Sequence, residues 1–123
     1  MALDVLIVDD SAAIRKILQR VLRQTDVPLG EVLEAGDGRE ALEALKSKKV
    51  GLILSDINMP NMDGLQLLSQ LKANAELQSV PVVMITTEGS QQKVMEAVQL
   101  GAAGYVRKPF TADQIQEKLS GLI

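Results

Sequence analysis

The sequence predicts an α/β fold: a five-stranded parallel sheet in the order 2-1-3-4-5, with five helices divided between its two faces. Three observations carry that expectation. Five short apolar runs alternate with five segments of helical periodicity along 123 residues, the pattern of strands joined by helical crossovers. The first, third and fourth runs are almost wholly apolar, as strands covered on both faces must be. The second and fifth carry Glu31, Glu34 and Arg107, which edge strands tolerate. Few strand orders place two and five at the edges, and 2-1-3-4-5 is the simplest.

The first strand spans Leu3 to Val8 and ends at Asp9-Asp10. Ser11 is a suitable N-cap for a helix whose Ile14, Ile17, Leu18, Val21 and Leu22 recur with i, i+3, i+4, i+7, i+8 spacing. Pro28 and Gly30 break the helix, and Glu31 to Ala35 form a short strand. Gly36-Asp37-Gly38 turns the chain, and Asp37 with Glu40 has the spacing of a capping box for a helix carrying Ala41, Leu42 and Leu45. Lys46, Lys48 and Lys49, near the end of that helix, suit the negative end of its dipole. Gly51 to Ser55 is the third strand. A Pro/Asn/Asp/Gly loop follows, then a helix over Gly64 to Asn74 burying Leu65, Leu68 and Leu71. Pro81 opens the fourth strand, Val82 to Thr86. Ser90 is expected to cap a helix with Val94, Ala97 and Val98 on one side, ending at Gly101. Gly104 to Arg107 is the fifth strand, and Thr111 with Gln114 makes a second capping box before Ile115, Leu119 and Leu122.

One domain, residues 1–123, accommodates this pattern. The formal net charge of −3 argues against a nucleic-acid partner. The chain has no cysteine and no histidine, so disulfides, the usual zinc ligand sets and Ser-His or Cys-His mechanisms are excluded. The Val5–Val8 run is too short for a signal or membrane helix, and a cytoplasmic location without membrane contact is expected.

The order 2-1-3-4-5 has its topological switch between strands one and three, where open parallel sheets bind ligands. Asp9, Asp10 and Asp56 all lie at carboxyl ends beside it. Singly, each is an ordinary residue for the turn after a strand. Together they repel, by about 4 kcal/mol per pair at ~4 Å and an effective dielectric near 20. A cation or a shifted pKa must answer that repulsion, and with oxygen ligands alone Mg²⁺ is the natural ion. Thr86 brings a hydroxyl to the end of the fourth strand and Lys108 an ammonium to the end of the fifth. Alone these are a strand-end threonine and a surface lysine. With the acidic cluster, they are the parts needed to stabilise a phosphoryl group on Asp56.

Asp9-Asp10, the stretch Ser55 to Gly64, Met84-Ile85-Thr86-Thr87-Glu88 and the stretch Gly101 to Phe110 strongly resemble bacterial response-regulator receiver domains, most of all the stand-alone chemotaxis (CheY-like) branch. The resemblance covers essentially the whole chain. That branch has the 2-1-3-4-5 order, so topology and resemblance are not independent. The resemblance implies that Asp56 is the phosphoacceptor. It also implies that Asp10 and Asp56 bind Mg²⁺ by carboxylate, Asn58 by its backbone carbonyl and Asp9 through water. Thr86 and Lys108 would hold phosphoryl oxygens, with a cis Lys108–Pro109 bond. Tyr105 would be the switch, turning inward as Thr86 moves toward the phosphoryl group. The plainer reading of Tyr105 is an edge-strand tyrosine with its hydroxyl in water. Thr87, where a small alanine is common, is bulkier beside the path of Tyr105, and Asn58 and Glu88 flank the site where they would tune phosphate lifetime.

The function so implied is signalling rather than metabolic catalysis. A sensor histidine kinase donates to Asp56, and the face formed by the fourth helix, fifth strand and fifth helix then controls a protein target such as the flagellar motor switch, with a phosphatase as a further possible partner. Because the chain stops after the fifth helix, no effector domain is expected. The alternatives are a phosphate sink or a phosphorelay intermediate. A Mg²⁺-dependent phosphatase with an aspartyl nucleophile is disfavoured, because the position of its acid/base carboxylate is taken by Asn58.

Overall fold

The computed structural model describes residues 2–87 and 91–122. The elements run β1 (Leu3–Val8), α1 (Ala12–Gln24), β2 (Leu29–Ala35), α2 (Gly38–Ser47), β3 (Leu52–Ser55), α3 (Gly64–Ala73), β4 (Val82–Thr86), α4 (Gln91–Gln99), β5 (Gly104–Arg107) and α5 (Ala112–Ser120). All strand pairs are parallel, in the order β2-β1-β3-β4-β5.

Alternation along the inner strands divides the core in two. Val5, Ile7, Leu52, Leu54, Val83 and Ile85 point to one face and pack with Leu18 and Leu22 of α1 and Ile115 and Leu119 of α5. Leu6, Val8, Ile53 and Met84 point to the other, against Ala41 and Leu45 of α2, Leu67, Leu68 and Leu71 of α3, and Ala97 of α4. β3 and β4 are buried along their whole length, whereas β2 and β5 are partly exposed. A fully buried aliphatic side chain contributes about 1.5–3 kcal/mol, so these two layers hold the sheet between its helices.

Several local expectations need correction. β2 begins at Leu29, two residues before the predicted start, because Leu29 pairs with Leu3. Gly30 then lies inside a register irregularity between Leu3 and Val5. The Asp4 carboxylate fills the space that a side chain at position 30 would need and accepts the Glu31 N–H at 2.7 Å. On α1, Ile17 is 43% exposed although Leu18 and Leu22 are buried. On α4, Val98 is 62% exposed while Ala97 is buried. Asp37 caps α2 through the Glu40 N–H at 2.9 Å, but the Glu40 carboxylate accepts from Gly36 instead of closing the reciprocal box. Thr111 and Gln114 do form a complete box, as do Asp63 and Gln66 at the start of α3. The predicted Ser90 cap and Glu88 lie outside the described residues.

The chain ends α4 at Gly101, whose φ of +100° is the left-handed conformation glycine adopts without a Cβ penalty. No helix among the described residues is long and apolar enough to cross a membrane.

Candidate functional site

Three sheet hydrogen bonds fix the positions of the site residues. Asp9 N–H donates to Ala35 O of β2 at 3.0 Å, Asp56 N–H to Val8 O of β1 at 2.9 Å, and Lys108 N–H to Thr86 O of β4 at 2.9 Å. Each residue thus lies one step past a strand, held by the last rung of the ladder, and its side chain enters the crevice where connections leave β1 and β3 in opposite directions.

Asp9, Asp10 and Asp56 can each bring a carboxylate oxygen within 4.8 Å of the others. Asp9 and Asp56 are buried and Asp10 is exposed. An all-oxygen cluster open on one side fits a hard divalent cation that retains waters. The carboxylates are individually oriented. Asp9 Oδ1 accepts from Ser11 N–H at 2.9 Å, and Asp56 Oδ1 from Ile57 N–H at 2.7 Å. Their remaining oxygens meet Lys108 Nζ, at 2.7 Å for Asp9 and 3.3 Å for Asp56. Burial strips water from the Lys108 ammonium and works to lower its pKa. The hydrogen bond to Asp9 and the negative fields of Asp56 and Asp9 outweigh that loss and hold the pKa above the ordinary lysine value. Lys108 therefore enters the crevice as a cation and offsets part of the carboxylate repulsion. The Lys108–Pro109 peptide is cis.

Thr86 is wholly buried at the end of β4. Asn58 is exposed in the loop after β3, two residues beyond Asp56, and Thr87 is exposed after β4. Tyr105 on β5 packs against the α2/α3/α4 face of the core, and its hydroxyl oxygen is buried. That burial overturns the plainer reading of a hydroxyl standing in water. Below Asp56, Gly64 opens α3 with its N–H on Ile57 O at 2.8 Å. A Cβ there would collide with the Asp56 carbonyl oxygen and the Met84 methyl, so α3 can pack this closely only with glycine.

Two further contacts brace the crevice and were not apparent from the sequence. Arg15 donates from Nη1 to the Asp9 carbonyl at 2.6 Å and from Nε to Glu34 Oε1 at 2.9 Å. Asn61, at φ 65°, donates to Asp37 Oδ2 at 2.7 Å and ties the loop after β3 to the start of α2. Asn61 was readable as a turn residue, since asparagine tolerates the left-handed region. Nothing in the spacing of Arg15 and Glu34 marks them as partners.

Residues 5–120 match the family described as "Response regulator receiver domain". The chain is 43% identical over 115 residues to Chemotaxis protein CheY-3 of Vibrio cholerae, covering 94% of this chain and 87% of that protein. Among solved structures, Vibrio cholerae CheY4 superposes with a TM-score of 0.89 at 33% identity, covering all of both chains. The Mn²⁺-bound form of response regulator Rcp1 superposes with a TM-score of 0.81 at 28% identity, over 98% of this chain and 91% of that one. With fold and family in agreement, the chain belongs to the response regulator receiver domains, CheY-like signalling proteins of two-component systems.

Proposed function

We propose that this chain is a cytoplasmic response regulator in which Asp56 accepts a phosphoryl group from a sensor histidine kinase with the help of Mg²⁺. The observation that carries this reading is the Lys108 ammonium lying between two buried carboxylates, 2.7 Å from Asp9 and 3.3 Å from Asp56. Such an arrangement is costly for stability alone and apt for receiving a charged group.

In the proposed reaction an Asp56 carboxylate oxygen attacks phosphorus, and the bond from phosphorus to the donor nitrogen breaks as the new P–O bond forms. The hydrogen bond from Ile57 to Asp56 Oδ1 fixes the attacking carboxylate, and positioning with charge neutralisation does most of the catalysis. Asp10 and Asp56 would hold the ion by carboxylate, Asn58 by its carbonyl and Asp9 through water. When bound, Mg²⁺ supplies positive charge to the phosphoryl oxygens. That the response regulator Rcp1 has a Mn²⁺-bound form supports a divalent ion for this chain. Lys108 moves from pairing carboxylates to pairing one phosphoryl oxygen, and Thr86 donates to another.

The added charge of about −1.5 to −2 biases the fold only through contacts absent before phosphorylation. Thr86 and Tyr105 are the residues we assign to that bias. The α4–β5–α5 face is suited to a protein partner: Met95 and Val98 stand exposed on α4, and a depression of about 270 Å³ is lined by Tyr105, Arg107, Gln114, Glu117 and Lys118. Chemotaxis, through a target such as the flagellar motor switch, is the output the CheY relatives favour.

Incubation with a small-molecule phosphodonor and Mg²⁺ should add one phosphate to the wild type, detected by intact mass, and none to Asp56→Asn. Full labelling of that variant would remove Asp56 from its role. A target retained only by protein trapped with a beryllium fluoride phosphoryl mimic would then identify the output. Phosphorylation without any trapped-state target would favour a phosphate sink or relay.

A further inference from the structure

Asp9 stands where the sheet ends, so its carbonyl has no further rung to join. Arg15 takes that oxygen at 2.6 Å, while its Nε holds Glu34 at 2.9 Å. Glu34 is in register beside Ile7 on the neighbouring strand. Its second oxygen is held by Lys16 at 2.8 Å and Gln19 at 3.2 Å, so the anchor is itself fixed. A planar guanidinium with donors in a rigid fork sets direction as well as distance. Arg15 reaches Asp9 on its main-chain side; the carboxylate is left to Ser11 N–H and Lys108.

From this we infer that Arg15, anchored by Glu34, is a positioning residue for divalent-ion binding. It fixes the peptide between Asp9 and Asp10, and so keeps the exposed Asp10 carboxylate over the crevice. The inference rests on the reading of Asp9, Asp10 and Asp56 as the Mg²⁺ site. Its sign is opposite to that of simple electrostatics. A guanidinium near the carboxylates repels an arriving cation, so if charge were all that mattered, removing Arg15 would tighten Mg²⁺ binding. Positioning requires the reverse.

The test is calorimetric titration of the full chain with Mg²⁺. Arg15→Ala should weaken binding about tenfold or more, the range typical of outer-sphere partners that orient metal ligands. Arg15→Lys, with one ammonium in place of a fork, should fall between. Lys16→Ala removes a charge from the same Glu34 network without touching Asp9, and should stay within about twofold of wild type, as exposed ion pairs do. The labelling rate of Arg15→Ala extrapolated to saturating Mg²⁺ should approach that of wild type, which a damaged fold would not give. Unchanged or tighter binding in Arg15→Ala, or equal weakening in Lys16→Ala, overturns the inference. Absence of Mg²⁺ binding in the wild type would instead overturn the metal reading and this inference with it. Should Arg15→Ala fail to fold, Arg15→Lys carries the same comparison against Lys16→Ala.

Discussion

Replacing Lys108 with methionine keeps the stem and removes the charge. The ammonium lies 2.7 Å from Asp9 and 3.3 Å from Asp56. At an effective dielectric near 20 these contacts are worth about 6 and 5 kcal/mol before the cost of desolvating the lysine. Removing one partner of a buried pair leaves uncompensated charge and costs about 3–5 kcal/mol net. For a domain of 123 residues that lowers Tm by about 10–20 °C. The same arithmetic predicts a rescue. With the competing ammonium gone, Mg²⁺ meets three carboxylates whose repulsion nothing else offsets, so its affinity rises. An ion that binds only the folded state adds about 2.7 kcal/mol at a hundredfold excess over Kd. Thermal denaturation of wild type and Lys108→Met, each in EDTA and in Mg²⁺, checks both halves. The variant should melt lower in EDTA and gain more than wild type from Mg²⁺. A variant as stable as wild type in EDTA, or an equal Mg²⁺ gain in both proteins, would refute the view that Lys108 acts as a counter-ion of the carboxylate cluster.

Other perturbations test the braces around the site. Glu34 has its pKa held below the ordinary 4.5 by the hydrogen bond from Lys16, against the effect of its burial, with Arg15 adding to the lowering. Its contribution is therefore present above the unfolded value and is lost as pH falls through the lower folded value. The stability gap between wild type and Glu34→Gln in urea should close below about pH 4.5; a gap constant from pH 7 to pH 3 would contradict this linkage. Gly64→Ala should destabilise by more than about 2 kcal/mol in the same assay and slow Asp56 labelling, since the new methyl meets the Asp56 carbonyl. Asn61→Ala should cost about 2 kcal/mol and Asn61→Gly about half that, because alanine loses both the Asp37 contact and the left-handed tolerance while glycine loses only the first. Equal losses would place the whole effect in the hydrogen bond.

The sequence was legible where a physical rule acts over a few residues. Runs of apolar residues ending at Asp9, Asp56 and Thr86 identified the strands, and their exposure pattern identified the edges. The acidic cluster and Lys108 can be placed together from the sequence because a parallel sheet sets the carboxyl ends of all its strands along one edge. Rules of longer reach were not legible. A helix with five apolar positions offers a stripe, but the stripe does not say how the helix is rolled on the sheet. At roughly 100° per residue, Leu18 and Leu22 lie to one side of the α1 stripe and Ile17 to the other, with Arg15 and Gln19 beyond Leu22. The structure buries Leu18 and Leu22 and exposes Ile17. α1 is thus rolled toward its polar flank, the direction that brings Arg15 and Gln19 onto Glu34 of β2. Hydrophobic burial alone would favour the opposite roll, which covers Ile17 as well. A buried Ile side chain is worth about 1.5–3 kcal/mol; the charge-assisted hydrogen bond from the largely buried Arg15 to Glu34 is worth about 1.5–3 kcal/mol, and the exposed Lys16 adds at most about 1 kcal/mol. These terms are comparable, so the polar set can decide the roll. That balance turns on the register placing Glu34 beside Ile7, a relation between strands that no single stretch of the sequence carries.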